Sequence, residues 1–183
     1  MPRTFRKLAQ ANRLANLRLY TACEALGPGE LGAERTSFFP SILRTLNHNL
    51  TVDWFYVDAL EGGELGYGAF SPEEPFATLD ALAEAQEAVD ARLLAVCLAL
   101  DPTKLTAPTR MHRGTRVQVE RTDDVLLHLF LHQVHHQGQV HAMLAGSSVA
   151  PPQLDEFVMG GGDVAARRPE MERLGWSEDA LMG

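Results

Sequence analysis

The stretch LFLHQVHHQGQVHAML, residues 129–144, places four histidines in a segment whose apolar spacing is helical. His132 and His136 stand four apart, so on a helix their Cβ atoms lie about 5–6 Å apart on one side. Both fall on the stripe Val125, Leu129, His132, His136, Val140 and Met143, where a helix ordinarily buries apolar residues. Burying two imidazoles together on such a face is uneconomical unless something shared satisfies them, and a metal ion does so. The helical zinc-protease motif uses the same spacing, but Gln133 stands where that motif has its glutamate, so a zinc protease is not read here. His128 lies four before His132, which leaves 128/132 open as an alternative pair. His135 and His141 fall off the face of the 132/136 pair and are expected to meet solvent or a hydrogen-bond partner; His112 is expected at the surface.

A metal needs more than two ligands, and His48, in LRTLNHNLTVDWF, is the best third. It shares a helical face with Thr45, Val52, Phe55 and Ala59. It sits near the middle of its segment, as the 132/136 pair does, and mid-helix residues meet at one level whichever way the helices run. Asn16, mid-way along the first helical segment, is expected to reach the same level, and Asn16 and His128 are the candidates to hydrogen-bond the ligands or touch substrate. Three histidines with an open position form the pattern of a catalytic rather than a structural metal. A neutral His₃ set suits Zn, Ni, Fe or Co, and the sequence does not choose among them. Asp53 and Asp58 fall off the His48 face, so neither is an easy general base. Gly138 costs about 1 kcal/mol relative to alanine inside a helix, which a bundle accepts where another group approaches closely.

Four long helical patterns must position these residues. The first runs from about Thr4 to Leu26, with Phe5, Leu8, Asn12, Asn16, Leu19 and Cys23 on one face, and Gly27-Pro28-Gly29 stops it. The second runs from about Pro40, suited to a first helical position, to Leu60. The third starts after Thr78, a cap residue, and follows Leu82, Gln86, Val89 and Leu93 to Asp101-Pro102. The fourth is capped near Thr122 and runs to about Ala145. Residues 61–77 read as an irregular loop, and alternation around Arg113-Gly114 predicts a small β-hairpin between helices three and four. The fold expected is all-α, a four-helix bundle with long connections, over residues 1–160. Residues 161–183 are expected to form a C-terminal extension, holding a short helix or partly disordered.

Composition narrows the function classes. A net charge of −8 argues against a nucleic-acid partner, whose phosphates need a basic surface. The longest apolar runs fall well short of a membrane span, and MPRTFRKLAQANR lacks the apolar core of a signal peptide, so a cytoplasmic location is expected, with no membrane partner. Cys23 and Cys97 form no CxxC and fall on apolar stripes, as buried reduced thiols do.

HLFLHQVHHQGQVHAML followed by PPQLDEF resembles the closing signature of the DinB/YfiT-like proteins. ANRLANLRLYTACEAL and SFFPSILRTLNHNLTVDWFYVDAL resemble the family's opening segments, so the likeness spans roughly residues 5–160. The resemblance implies a four-helix bundle in which His48, His132 and His136 bind a divalent metal, which favours 132/136 over 128/132. It also implies a homodimer and a metal-dependent enzyme such as a thiol S-transferase, with a small-molecule thiol and an electrophile as partners and a detoxification or stress role. A metal-assisted hydrolase, and a non-enzymatic bundle acting through dimerisation or a partner, are the alternatives. Gln137 departs from the family, which commonly has arginine before the glycine; an anion contact made by that arginine would be missing here.

Overall fold

The computed structural model describes residues 2–154 and 164–182. Helix α1 (Pro2–Glu24) buries Phe5, Ala9, Asn12, Asn16, Leu19 and Cys23 along its length. Gly29, at φ +83°, turns the chain after it. Helix α2 (Ile42–Leu60) starts later than the sequence predicts. The Pro40 carbonyl accepts the Arg35 amide at 2.7 Å and so is spent on the loop. Ser41 becomes the N-cap instead, its hydroxyl accepting the Arg44 amide N–H at 3.2 Å.

The loop after α2 holds one 3₁₀ turn, Gly66–Phe70. Helix α3 (Leu79–Leu98) follows Thr78, which is extended as a cap should be but makes no side-chain capping bond. Asp101 caps the short helix α4 (Pro102–Thr106) by accepting the Thr103 and Lys104 amides, each at 2.8 Å. The expected hairpin is present: β1 (Pro108–Arg113) pairs antiparallel with β2 (Arg116–Arg121), with Arg113 opposite Arg116. Gly114, at φ +64°, occupies the first turn position, as a two-residue II′ turn requires. Helix α5 (Thr122–Ala145) carries the histidines. Thr122, expected as its cap, is instead its first residue: the hydroxyl reaches the Ala107 carbonyl at 3.0 Å and the Thr109 hydroxyl at 2.8 Å, tying the helix to the hairpin.

The four long helices form the expected bundle. Helix α1 packs on α3 and α5, and α2 packs on α3 and α5, so α1 and α2, consecutive in sequence, sit across the diagonal. Leu19, Ile42, Leu50, Leu82, Leu93, Leu126, Leu129 and Leu144 are fully buried, each worth roughly 1.5–3 kcal/mol of apolar burial. None of the described helices is long and apolar enough to cross a membrane.

Beyond the bundle, α6 (Val164–Leu174) and α7 (Glu178–Met182) supply the helix expected in the extension. Helix α6 returns to α1, with Leu174 against Leu14 and Arg18 donating to Glu170 at 2.9 Å. The Gln10 amide donates to the Ala180 carbonyl at 2.9 Å. The expected boundary at residues 160–161, and most of the QLDEF part of the closing signature, lie outside the described residues.

Candidate metal centre

Position four on a helix lies one turn above position zero, so α5 presents His132 and His136 as neighbouring imidazoles, ring centroids 4.4 Å apart and planes tilted by 58°. Helix α2 packs on α5 and brings His48 up to both, 5.2 Å from His132 and 4.7 Å from His136, centroid to centroid, so the three rings form a triangle. One ring nitrogen from each of the three lies within 4.8 Å of the others. The Nε2 atoms of His48 and His132 are 3.2 Å apart. Two nitrogens on one tetrahedral zinc would be separated by about 3.3 Å, from the usual zinc–imidazole bond length.

The protonation states suit the same purpose. Burial pushes the His48 imidazole down to about 4 and His132 down to about 3, with the neighbouring histidines adding to each shift. His136 is lowered mainly by burial, against an opposing hydrogen bond to Gln139. His48 and His132 are therefore neutral at pH 7 and offer lone pairs rather than charges. The tautomer of His136 is fixed by its neighbour one turn on: Nδ1–H donates to Gln139 Oε1 at 2.8 Å, which leaves Nε2 bare. The Gln139 amide nitrogen in turn donates to His135 Nε2 at 3.1 Å. His132 Nδ1 is buried with no partner among the described residues. Phe39, from the loop before α2, lies over the cluster, 4.3 Å from His48 and 5.7 Å from His136 between ring centroids. Donor type, convergence and protonation state all fit a divalent transition metal.

The other candidates divide. His128 is exposed, packs on Tyr56 at 5.3 Å and stands outside the cluster. His135 bonds Gln139, and His141 bonds the Pro152 carbonyl at 3.1 Å, as expected of residues off the ligand face. His112, expected at the surface, has a side chain 30% exposed and lies 4.0 Å from Glu64. Asn16, expected level with the histidines, bonds none of them. Its amide nitrogen donates to Asp90 at 3.0 and 3.1 Å, and its oxygen accepts from Gln137 at 2.8 Å. Gly138 does not mark a close approach: a Cβ there would meet nothing within 4 Å, and the residue borders an open groove between α1 and α5.

Asp53, expected off the His48 face and so no easy general base, stands outside the cluster; it is fully buried, with its carboxylate taking the Gln86 amide at 2.7 Å and a short bond from Gln133. Asp90 sits nearby, accepting from Asn12, Asn16 and Gln86. Burial raises Asp90 to about 6 and Asp53 well above the usual carboxylate range. Gln137 completes this layer by donating to Asn12 and Asn16, each at 2.8 Å. The position where the family commonly carries arginine is thus turned inward as a structural amide. Gln139 and Phe39 were not read from the sequence. Gln139 had a signal, its three-residue spacing from His136; Phe39, in an irregular loop, had no periodic pattern to reveal it.

No curated protein matches the sequence. The model of the DinB family matches residues 1–160, which include the whole bundle, and the chain belongs to the DinB family.

Proposed function

We propose that the protein is a metal-dependent thiol S-transferase acting on a small electrophile, with a divalent transition metal held by His48, His132 and His136. The observation that carries this reading is the convergence of three imidazoles, each offering one ring nitrogen within 4.8 Å of the others. A divalent cation bound by neutral imidazoles supplies Lewis acidity, which lets a thiol lose its proton near neutral pH. His136 presents its Nε2 because Gln139 holds Nδ1–H. Phe39 covers one side of the cluster and keeps bulk water off His48 and His136.

Cys23 and Cys97 are buried and their thiols are pushed up to about 12, so in this reading neither serves as nucleophile and the thiol comes from outside. In the overall reaction the thiol proton goes to solvent, a sulfur–carbon bond forms, and the leaving group departs with its bonding pair.

A homodimer is proposed with it, supported by a line of exposed apolar residues on α5, Leu127, Leu131 and Val134, at 51%, 62% and 64% exposure. The first test is elemental analysis of untagged protein purified without chelator, beside His132→Ala. Near-stoichiometric metal that is lost in the variant, followed by metal-dependent thiol consumption with a panel of electrophiles, is the expected result. Wild-type protein that takes up none of Zn²⁺, Ni²⁺, Fe²⁺ or Co²⁺ would overturn the reading.

A further inference from the structure

A cavity of about 480 Å³ opens beside the histidines, lined by Arg35, Thr36, Ser37, Gln139, Ala142, Met143 and Gly146. Its volume lies within the range of small-molecule pockets. It is joined to the cluster by one side chain, since Gln139 lines it and also bonds His136 at 2.8 Å.

The polar lining is rich in donors. Arg35 is held rigidly by its own loop: Nη1 donates to the Glu30 carbonyl at 2.7 Å and the Ala33 carbonyl at 2.9 Å. A guanidinium has five N–H groups, so Nε–H and the two Nη2–H remain, with no protein acceptor among the described residues. Thr36 and Ser37 add two hydroxyls with no partner among the described residues. The one amide oxygen in the lining, Oε1 of Gln139, is already taken by His136. No carboxylate lines the cavity, although the chain as a whole carries a net charge of −8. The Glu30 carboxylate is near enough to feel the Arg35 charge but does not hydrogen-bond it, and an arginine fixed by backbone carbonyls in this way is preorganised for an oxyanion, because little side-chain freedom remains to be lost on binding.

We propose that this cavity is an oxyanion-binding subsite, in which Arg35, with Thr36 and Ser37, takes the carboxylate or phosphoryl group of a small anionic substrate. The word substrate rests on the function proposed above; the anion site itself does not.

The test is a titration of the full-length protein, metal-free and zinc-loaded, followed by ¹H–¹⁵N NMR including the Arg35 Nε–Hε signal, with acetate, inorganic phosphate and uncharged acetamide as probes. Saturable shifts at Arg35, Thr36 and Ser37 with acetate or phosphate, and none with acetamide, are expected in both forms. Tighter acetate identifies a carboxylate ligand and tighter phosphate a phosphoryl one. Arg35→Gln should weaken binding at least about tenfold, and Ser37→Ala, which leaves the arginine clamp intact, about threefold. Shifts that appear only in the zinc-loaded form would mean that the anion ligates the metal, which overturns the subsite and leaves the metal reading standing. Equal response to acetamide, or shifts mapping elsewhere, also overturns it. Anion binding at Arg35 in a protein that takes up no metal would keep the subsite and remove the metal reading.

Discussion

Metal affinity should be nearly independent of pH across the range in which ordinary histidines lose it. A protonated imidazole cannot ligate, so affinity falls with the neutral fraction of each ligand. An imidazole titrating at its usual value near 6.5 is about three-quarters neutral at pH 7 and about one-eleventh neutral at pH 5.5, a loss of roughly eightfold. Three independent ordinary imidazoles would together lose roughly 600-fold. In this structure His48 titrates at about 4 and His132 at about 3, so both stay almost wholly neutral at pH 5.5. Only His136 can contribute, and because its value is lowered as well, its share is bounded by the single-imidazole loss of about eightfold. The sign is that of a base whose folded pKa is depressed: metal-binding competence is complete above the ordinary imidazole value and fades only as pH drops towards the folded values. Competition with a chromophoric zinc indicator in non-coordinating buffers, at about pH 7 and about pH 5.5, measures this directly. A loss of several hundredfold would show that the three rings titrate as exposed histidines, and would refute the inference that burial keeps them neutral.

Other outcomes follow from the same contacts. Gln139→Leu removes the acceptor that fixes the His136 tautomer and should weaken zinc binding about 10–100-fold in the same competition assay. Gln86→Leu strips one donor from each of the buried Asp53 and Asp90 and should destabilise the fold by about 2–4 kcal/mol in urea unfolding. Leu126→Ala, at a fully buried position of α5, should lower stability by about 2–5 kcal/mol by the same measurement. If the proposed dimer forms through the exposed apolar line of α5, sedimentation should report a dimer for the wild type and a monomer for Leu131→Lys; a monomeric wild type would refute that dimer.

Four-residue spacing on α5 and one histidine on the inward face of α2 made a histidine cluster legible, while the choice of 132/136 over 128/132 came from the resemblance to the DinB/YfiT-like proteins. The hairpin was legible because Gly114 supplies the positive φ that its turn needs. Asp53 was not, and the reason lies in how α2 is covered. A single apolar stripe assumes that a helix has one buried face. Helix α2 packs against α3, α5, the 3₁₀ turn and β1, so residues on several faces are interior, including Asn49, Thr51 and Asp53. A helix buried nearly all round has no face that sequence periodicity can single out. Asn16 was placed correctly inside but at the wrong partner, because its spacing gives a face and not the identity of the helix opposite. At Gly138 the glycine carries no packing signal that would distinguish a close contact from the open groove actually present there.

The buried amides and carboxylates acquire a purpose when set beside the ligands on α5. Successive helical residues are rotated by about 100°, so Gln133 and Gln137 project beside His132 and His136 rather than with them. Gln133 bonds Asp53 on α2, and Gln137 bonds Asn12 and Asn16 on α1, which are joined through Asp90 to α3. Helix α5 is therefore held against its neighbours at two points one turn apart, each immediately following a ligand in sequence. Turning α5 about its own axis would break these buried bonds, at about 1–3 kcal/mol for each group left unsatisfied, whereas an all-leucine interface would let the helix settle at several rotations. Two carboxyl groups without a basic partner bonded to them are a poor source of stability. Their amide partners instead give α5 one preferred rotation, and that rotation is the one in which His132 and His136 face His48.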